Sequence, residues 1–356
     1  MSVETPGDTR RMLREAAERL FEKHCNAETM RRADAGEFPQ ALWRALGEAG
    51  YTDALVPESA GGAGLEMPDA LSLLFSAGRH AVPAPLAETM LAGWLLSSAG
   101  IAQPEGPITV APVREADALL AKRDGAGWRI EGTANRVPWA RQCKAIAVLA
   151  QAEGKSVVAL LSPAECSLKE GHNVAGEPRD DLVFSAVKPQ QAGPSPISPG
   201  QLRALGAVMR SAQMAGALQS VLETSVQYAC ERVQFGRPIG RFQAIQQNLA
   251  VLAGQTAAAT AAAEAAMEAA ARDLDSMAIA AAKIRAGEAA GIGAAIAHQV
   301  HGAIGFTQEH RLHYSTRRLW SWRDEFGNEA HWARRLGGEA AAAGADRLWQ
   351  GITAAG

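Results

Sequence analysis

Apolar residues recur at helical spacing along most of this chain, interrupted once by a stretch where the spacing shortens to short, continuous apolar runs. Leu13, Ala16, Leu20 and Phe21 share one face of a predicted first helix over residues 8–33, with Asp8 or Thr9 as its cap. A second helix over residues 39–49 carries Leu42, Trp43 and Leu46 and stops at Gly50-Tyr51. Met67-Pro68 opens a third that runs to about Ala77, and residues 86–98 form a fourth, so residues 1–105 read as an N-terminal helical domain. Short strand-like runs follow at residues 108–113, 128–132, 145–150, 157–161 and 182–187, separated by Gly, Pro and Asp. They define a small β-domain over residues 106–190. Residues 189–200, rich in Pro, Gly, Ser and Gln, read as a linker. The remainder, residues 191–356, is predicted helical at 201–230, 241–272, 274–303, 308–323 and 328–349. Residues 257–271 are almost all Ala, which suits a buried helix face, because Ala has the highest helix propensity and lets helices approach to roughly 8 Å. The fold class is mostly α with a small β-domain.

The longest helical patterns break at Glu231–Gln246, where Gly236, Pro238 and Gly240 enforce a reversal. Arg232 and Arg237 stand at this corner beside Phe235 and Gln243. Arginine, an aromatic face and amides on one loop suit a phosphate-bearing aromatic ligand. The same residues also suit an ordinary solvated corner between two helices. The glycine cluster Gly61-Gly62-Ala63-Gly64 carries no signal beyond a turn when taken alone.

Composition narrows the class. The 356 residues are enough for two or three domains, and an apolar content of 47% supports a substantial core. A formal charge of −3 points away from nucleic acid as a partner. Cys25, Cys143, Cys166 and Cys230 are widely spaced with no C-x-x-C pair, so neither zinc nor a disulfide framework is expected. The opening residues lack a basic region followed by an apolar run, and no stretch approaches the roughly 18 apolar residues of a membrane span. A cytoplasmic location is the expectation.

Two motifs resemble the acyl-CoA dehydrogenase family: Arg232-Val-Gln-Phe-Gly-Arg-Pro-Ile239 followed by Phe242-Gln243, and Gln299-Val-His-Gly-Ala-Ile-Gly-Phe-Thr307. The succession of helix, Gly50-Tyr51, Val56-Pro57-Glu58 and Gly61-Gly62-Ala63-Gly64-Leu65 is similar to the family's amino-terminal domain, so the resemblance covers most of the chain. It implies an N-terminal helical domain, a middle β-barrel-like domain and a C-terminal four-helix bundle. It also implies FAD as cofactor and an acyl-CoA substrate. A glutamate removes the α-proton of the thioester and the β-hydrogen leaves as hydride to the flavin, with electron-transfer flavoprotein among the acceptors. By this resemblance Arg232 meets the pyrophosphate and Phe235 and Gly236 lie against the nucleotide. Phe242, Gln243 and Gln299 supply amide or backbone contacts, and Gly302 and Ala303 permit close approach. Ala303 stands where the family commonly has Gly.

Elsewhere the chain departs from the family pattern. The flavin-ring side of the β-domain usually carries "TEP…GSD", and the corresponding run here is Ile108-Thr-Val-Ala-Pro112. The family's Trp-Ile-Thr/Ser element is replaced by Asn135-Arg-Val-Pro-Trp139, where Trp139 suits either a stacking role or the core. The base should stand in a "Y-E-G-T" segment, but Phe326 falls at that glutamate's place, with Glu325 one residue early. The alternative position, counted back from Arg232, lands on Gly206, and no acidic residue lies between Gln201 and Leu222. Glu325 is therefore the one candidate base. A retained ADP clamp with eroded ring contacts resembles the heteromeric members that oxidise steroid side-chain CoA thioesters, in an α2β2 arrangement with a complete homologue. Two alternatives stay open: an active homo-oligomer using Glu325, and a scaffold subunit without cofactor.

Overall fold

The computed structural model describes residues 6–125 and 127–353, so the predicted domains at 1–105 and 191–356 begin and end outside the described residues. Tertiary contacts gather the chain into two compact units. One comprises residues 22–70 and 83–206, the other residues 1–21, 71–82 and 207–356.

The first predicted helix is two. Helix α1 (Pro6–His24) starts before either expected cap, with Asp8 in its first turn. It ends before Asn26, whose backbone is extended and whose side chain accepts the Thr29 N–H at 3.0 Å, capping α2 (Ala27–Asp34). Helices α3 (Gln40–Glu48), α4 (Met67–Arg79) and α5 (Leu86–Ser97) fall close to the spans expected for them.

The unit containing residues 83–206 is built on one sheet. Its strands are β1 (Ile108–Ala111), β2 (Leu119–Asp124), β3 (Gly127–Pro138), β4 (Ala145–Ala152), β5 (Lys155–Leu161), β6 (Ser167–Lys169), β7 (Arg179–Val187) and β8 (Gln191–Ser195). They run in the order β6-β7-β3-β2-β4-β5-β8, with β1 parallel to β4. Glu153 and Gly154, both with positive φ, make the tight turn that pairs β4 with β5. Ile130, Val137, Ile146, Val148, Leu161 and Phe184 fill the core against one face of the sheet. Helix α5 is buried along nearly its whole length and is tied to the sheet where the Thr89 hydroxyl donates to the Ile108 carbonyl at 3.0 Å. The segment read as a linker, residues 189–200, contains the edge strand β8.

The other unit is helical. Helix α6 (Pro199–Glu231) enters it at Ala207, and a hairpin of β9 (Val233–Gln234) and β10 (Arg237–Pro238) follows. Then come α7 (Gln243–Ala270), α8 (Met277–His301), α9 (Leu312–Asp324), α10 (Glu329–Ala343) and α11 (Ala345–Thr353). The last two were expected as one helix and are parted by Gly344 with φ 82°. Met214, Leu218, Val221, Leu252, Leu312, Leu319 and Trp322 pack with the buried alanines of α7 and α8. Helix α4 crosses α6 at glycines. A Cβ on Gly216 would sit 1.8 Å from the Phe75 carbonyl oxygen, and one on Gly78 would sit 2.0 Å from that of Gln213.

Candidate functional site

The residues that the two motifs single out lie at one end of the helical bundle. Helix α6 ends as the Arg232 N–H donates to the Tyr228 carbonyl at 2.8 Å, and the Ile239 N–H closes the hairpin base on the Arg232 carbonyl, also at 2.8 Å. Phe235 (φ 53°) and Gly236 (φ 77°) form the two-residue turn, both left-handed as a tight hairpin of this kind requires. The turn raises Phe235 into solvent, 91% exposed and edge-on to Phe242 at 6.2 Å. The Arg237 guanidinium stacks 4.3 Å above the Phe242 ring. The Arg232 guanidinium is exposed and, among the described residues, has no hydrogen-bond or ion-pair partner. Phe242 precedes α7 and offers its N-terminus no side-chain cap, and Gln243, the first residue of α7, is exposed.

The second motif closes α8. Gly302 has φ 63° and ψ −145° at its C-terminus, and a Cβ there would meet nothing within 4 Å. Backbone conformation, not space, selects glycine at this position. Gln299 and Ala303 are exposed beside it. The two motifs are brought together by the Tyr228 ring, which stacks on His301 with centroids 4.5 Å apart and planes 23° from parallel. The structure thus places Arg232, Phe235, Gly236, Phe242, Gln243, Gln299, Gly302 and Ala303 on one solvent-facing end of the bundle.

Glu325 is placed otherwise. It lies at the α9–α10 corner, where one of its carboxylate oxygens receives both Nε and Nη2 of Arg210 at 2.8 Å. Arg210 is 2% exposed, donates through Nη1 to Gln213 at 2.5 Å, and lies 5.7 Å from the Phe326 ring. Three more hydrogen bonds, from two donors, pin the corner. The Lys283 ammonium, fully buried, donates to the Arg323 and Gly327 carbonyls at 2.6 and 2.7 Å. The Trp332 indole donates to the Phe326 carbonyl at 3.0 Å. Burial pulls the Lys283 ammonium down to about 8, against the opposing pull of Glu329, Glu325 and Asp324. Phe326, at the glutamate's expected place, is buried with φ 54°. Protonating Glu325 would leave a buried guanidinium without its counter-charge.

In the sheet unit, the replaced elements turn inward. Thr109 is fully buried and its hydroxyl donates to the Pro138 carbonyl at 2.7 Å. Pro138 itself has no N–H to offer. Trp139, with φ 59°, is 6% exposed and part of the core. Asn135 is committed to Asp117 through both its side chain and its backbone N–H. The motif residues of the bundle are thus mostly exposed, whereas Thr109 and Trp139 of the sheet unit are buried in its core.

Sequence reasoning missed Arg210, Lys283, Tyr228 and His301. A signal was present for the first two: Arg210 is the one charge between Arg203 and Glu223, and Lys283 is the first charge after the apolar run Met277–Ala282. Isolated charges in apolar helical stretches mark buried, partnered groups.

Two family models match: the acyl-CoA dehydrogenase N-terminal domain over residues 7–103 and the C-terminal domain over residues 204–328. Acyl-CoA dehydrogenase IpdE2 of Mycobacterium tuberculosis is 30% identical over 315 residues, covering 87% of this chain and 90% of that protein. IpdE2 of Mycolicibacterium smegmatis is 28% identical over 344 residues, covering 93% and 99%. Among solved structures, a variant of the Tcur3481–Tcur3483 steroid ACAD superposes with a TM-score of 0.87 at 27% identity, over 95% of this chain and 100% of that one. The ChsE4–ChsE5 complex from Mycobacterium tuberculosis shares the fold with a TM-score of 0.86 at 24% identity, over 96% and 99%.

Proposed function

From its place in the acyl-CoA dehydrogenase family, to which this chain belongs, we propose that it is one subunit of a two-component enzyme that dehydrogenates a CoA thioester. It holds the ADP end of FAD, and a homologous subunit supplies the flavin-ring pocket and the base. The chain is an acyl-CoA dehydrogenase by family, a family whose members bind FAD. Bound FAD supplies the hydride acceptor. This chain's residues bind and orient: Arg232 offers an exposed guanidinium to the pyrophosphate, Phe235 a flat apolar face, and Gln243 and Gln299 exposed amides. Gly302 holds the backbone of the α8 terminus open to close approach.

The observation that carries the reading is the contrast between two arginines. Among the described residues Arg232 is exposed and without a hydrogen-bond or ion-pair partner, whereas Arg210 is buried with Glu325 as its counter-ion. A homo-oligomer using Glu325 as base would have to break that pair at every turnover. The two-component name of the steroid ACAD structure, 27% identical, supports a heteromer, and its description as a steroid ACAD supports a steroid-derived CoA thioester as substrate. Flavin content of the chain purified alone and with a co-expressed homologue tests this. The heteromer reading expects yellow protein only with the partner. Colour in the chain alone would favour the homo-oligomer, and colourless protein in both would favour a scaffold without cofactor.

A further inference from the structure

The ADP clamp is assembled from two chain segments, the turn after α6 and the end of α8, and neither motif contains the contact that joins them. That contact is an aromatic stack. The Tyr228 ring lies on His301 at 4.5 Å, and His310 meets His301 edge-on at 4.7 Å and Tyr228 at 6.1 Å. Tyr228 is one turn before Arg232, whose N–H bonds to the Tyr228 carbonyl, and His301 directly precedes Gly302. A shift of either ring therefore moves one half of the clamp against the other. His301 is 4% exposed. Its Nδ1 faces the Ala297 carbonyl at 2.8 Å and so carries the hydrogen, while Nε2 is buried without a partner among the described residues. That tautomer is a neutral imidazole.

We infer that Tyr228 and His301 are positioning residues that set the spacing of the two halves of the ADP clamp, and that the clamp closes only while His301 is uncharged. The inference rests on the clamp reading given above. Burial pushes the imidazole below its ordinary value of 6.5, and of the charged groups acting on it, His310 and His298 push it further down. The Ala297 carbonyl works in the opposite direction. Tyr228 faces it from α6, His298 from its own helix, and His310 from the segment before α9, with no carboxylate among them. The sign follows from the lowered value. The folded ring resists a proton that the unfolded or opened ring accepts. The closed clamp keeps its full advantage above the ordinary value of 6.5 and loses it progressively as pH falls from there through the lowered value.

The test uses the chain with its homologous partner and measures FAD affinity by equilibrium dialysis at pH 7.5 and 5.5. Backbone amide exchange across residues 228–234 and 299–306 is followed in parallel. Tyr228→Leu should weaken FAD binding roughly 2- to 10-fold, the scale of one aromatic pair, and speed exchange in both segments, while Tyr228→Phe restores both. His301→Phe keeps a ring in the stack without a titrating nitrogen and should flatten the acid-side loss of FAD. If His301→Phe sheds FAD between pH 7.5 and 5.5 as steeply as the parent chain, the inference is overturned. The same holds if Tyr228→Leu leaves affinity and exchange unchanged. Failure of the clamp itself is seen separately, as an Arg232→Ala chain that keeps its flavin; the exchange data then still decide whether the stack couples the two segments.

Discussion

Glu325→Ala should destabilise this protein, and the size of the loss can be worked from the corner it occupies. The substitution removes the carboxylate that two nitrogens of Arg210 share at 2.8 Å and leaves a guanidinium that is 2% exposed. Stripping one member from a buried pair typically costs about 3–5 kcal/mol. Two features trim that figure here. The Glu325 side chain is 16% exposed, so water can reach the vacated space, and Gln213 still accepts from Nη1 at 2.5 Å. A loss of about 2–4 kcal/mol is expected. For a domain of 150–250 residues that corresponds to a fall in Tm of roughly 4–16 °C. Glu325→Gln keeps one acceptor and should fall between the parent and the alanine variant. Scanning calorimetry on the three proteins reads the effect. Replacing Arg210 by Met in the Glu325→Ala background should recover much of the loss, because no buried charge is then left unpaired. A catalytic base behaves in the opposite way: its removal leaves stability unchanged or improved while turnover collapses by several orders of magnitude. An unchanged Tm with lost turnover would refute the reasoning.

Three further outcomes are expected. The lowered Lys283 ammonium means that between pH 8 and its ordinary 10.5 the unfolded chain binds more protons than the folded one, so stability rises with pH across that window by about 3 kcal/mol. Denaturant titrations at pH 7.5 and 10 should show this slope in the parent and its absence in Lys283→Met. Gly216→Ala should destabilise the helical unit by about 3 kcal/mol or more, because its Cβ meets the Phe75 backbone rather than a movable side chain; a Tm within 2 °C of the parent, on the order of a 1 kcal/mol change, would contradict it. Arg232→Ala should weaken FAD retention roughly 30-fold or more, and Arg237→Ala, already stacked on Phe242, much less; equal effects in flavin release assays would remove the assignment to Arg232.

The bundle and the central strands were legible because their apolar runs are long and bounded by Gly and Pro. The strands β2, β6 and β8 were not. In β2 only Leu119 and Ala121 face inward, and Lys122, Arg123 and Asp124 hide the alternation. In β8, Gln191–Ser195 has turn-like composition, and its extended form comes from pairing with β5, whose identity no local pattern encodes. The break at Asn26 was readable as a cap but lay inside a pattern that continued helically on both sides. The residues proposed as the clamp stand in two contiguous motifs, and the Tyr228–His301 stack brings those motifs together. The state of Glu325 was not, since its partner Arg210 is 115 residues away and spacing alone does not pair distant charges.

The central claim is that this chain holds one end of a flavin whose ring is held by a partner. The number of FAD molecules per polypeptide measures it most directly, by flavin absorbance after heat release set against protein concentration. On this claim, in a complex with a homologue the clamp of this chain would meet one sound ring pocket. The reciprocal site faces the inward-turned Thr109, Pro138 and Trp139. One FAD per heterodimer, two in an α2β2 tetramer, is the predicted result. A ratio of one FAD per polypeptide would contradict the account, because the sheet unit of this chain would then be holding flavin as well.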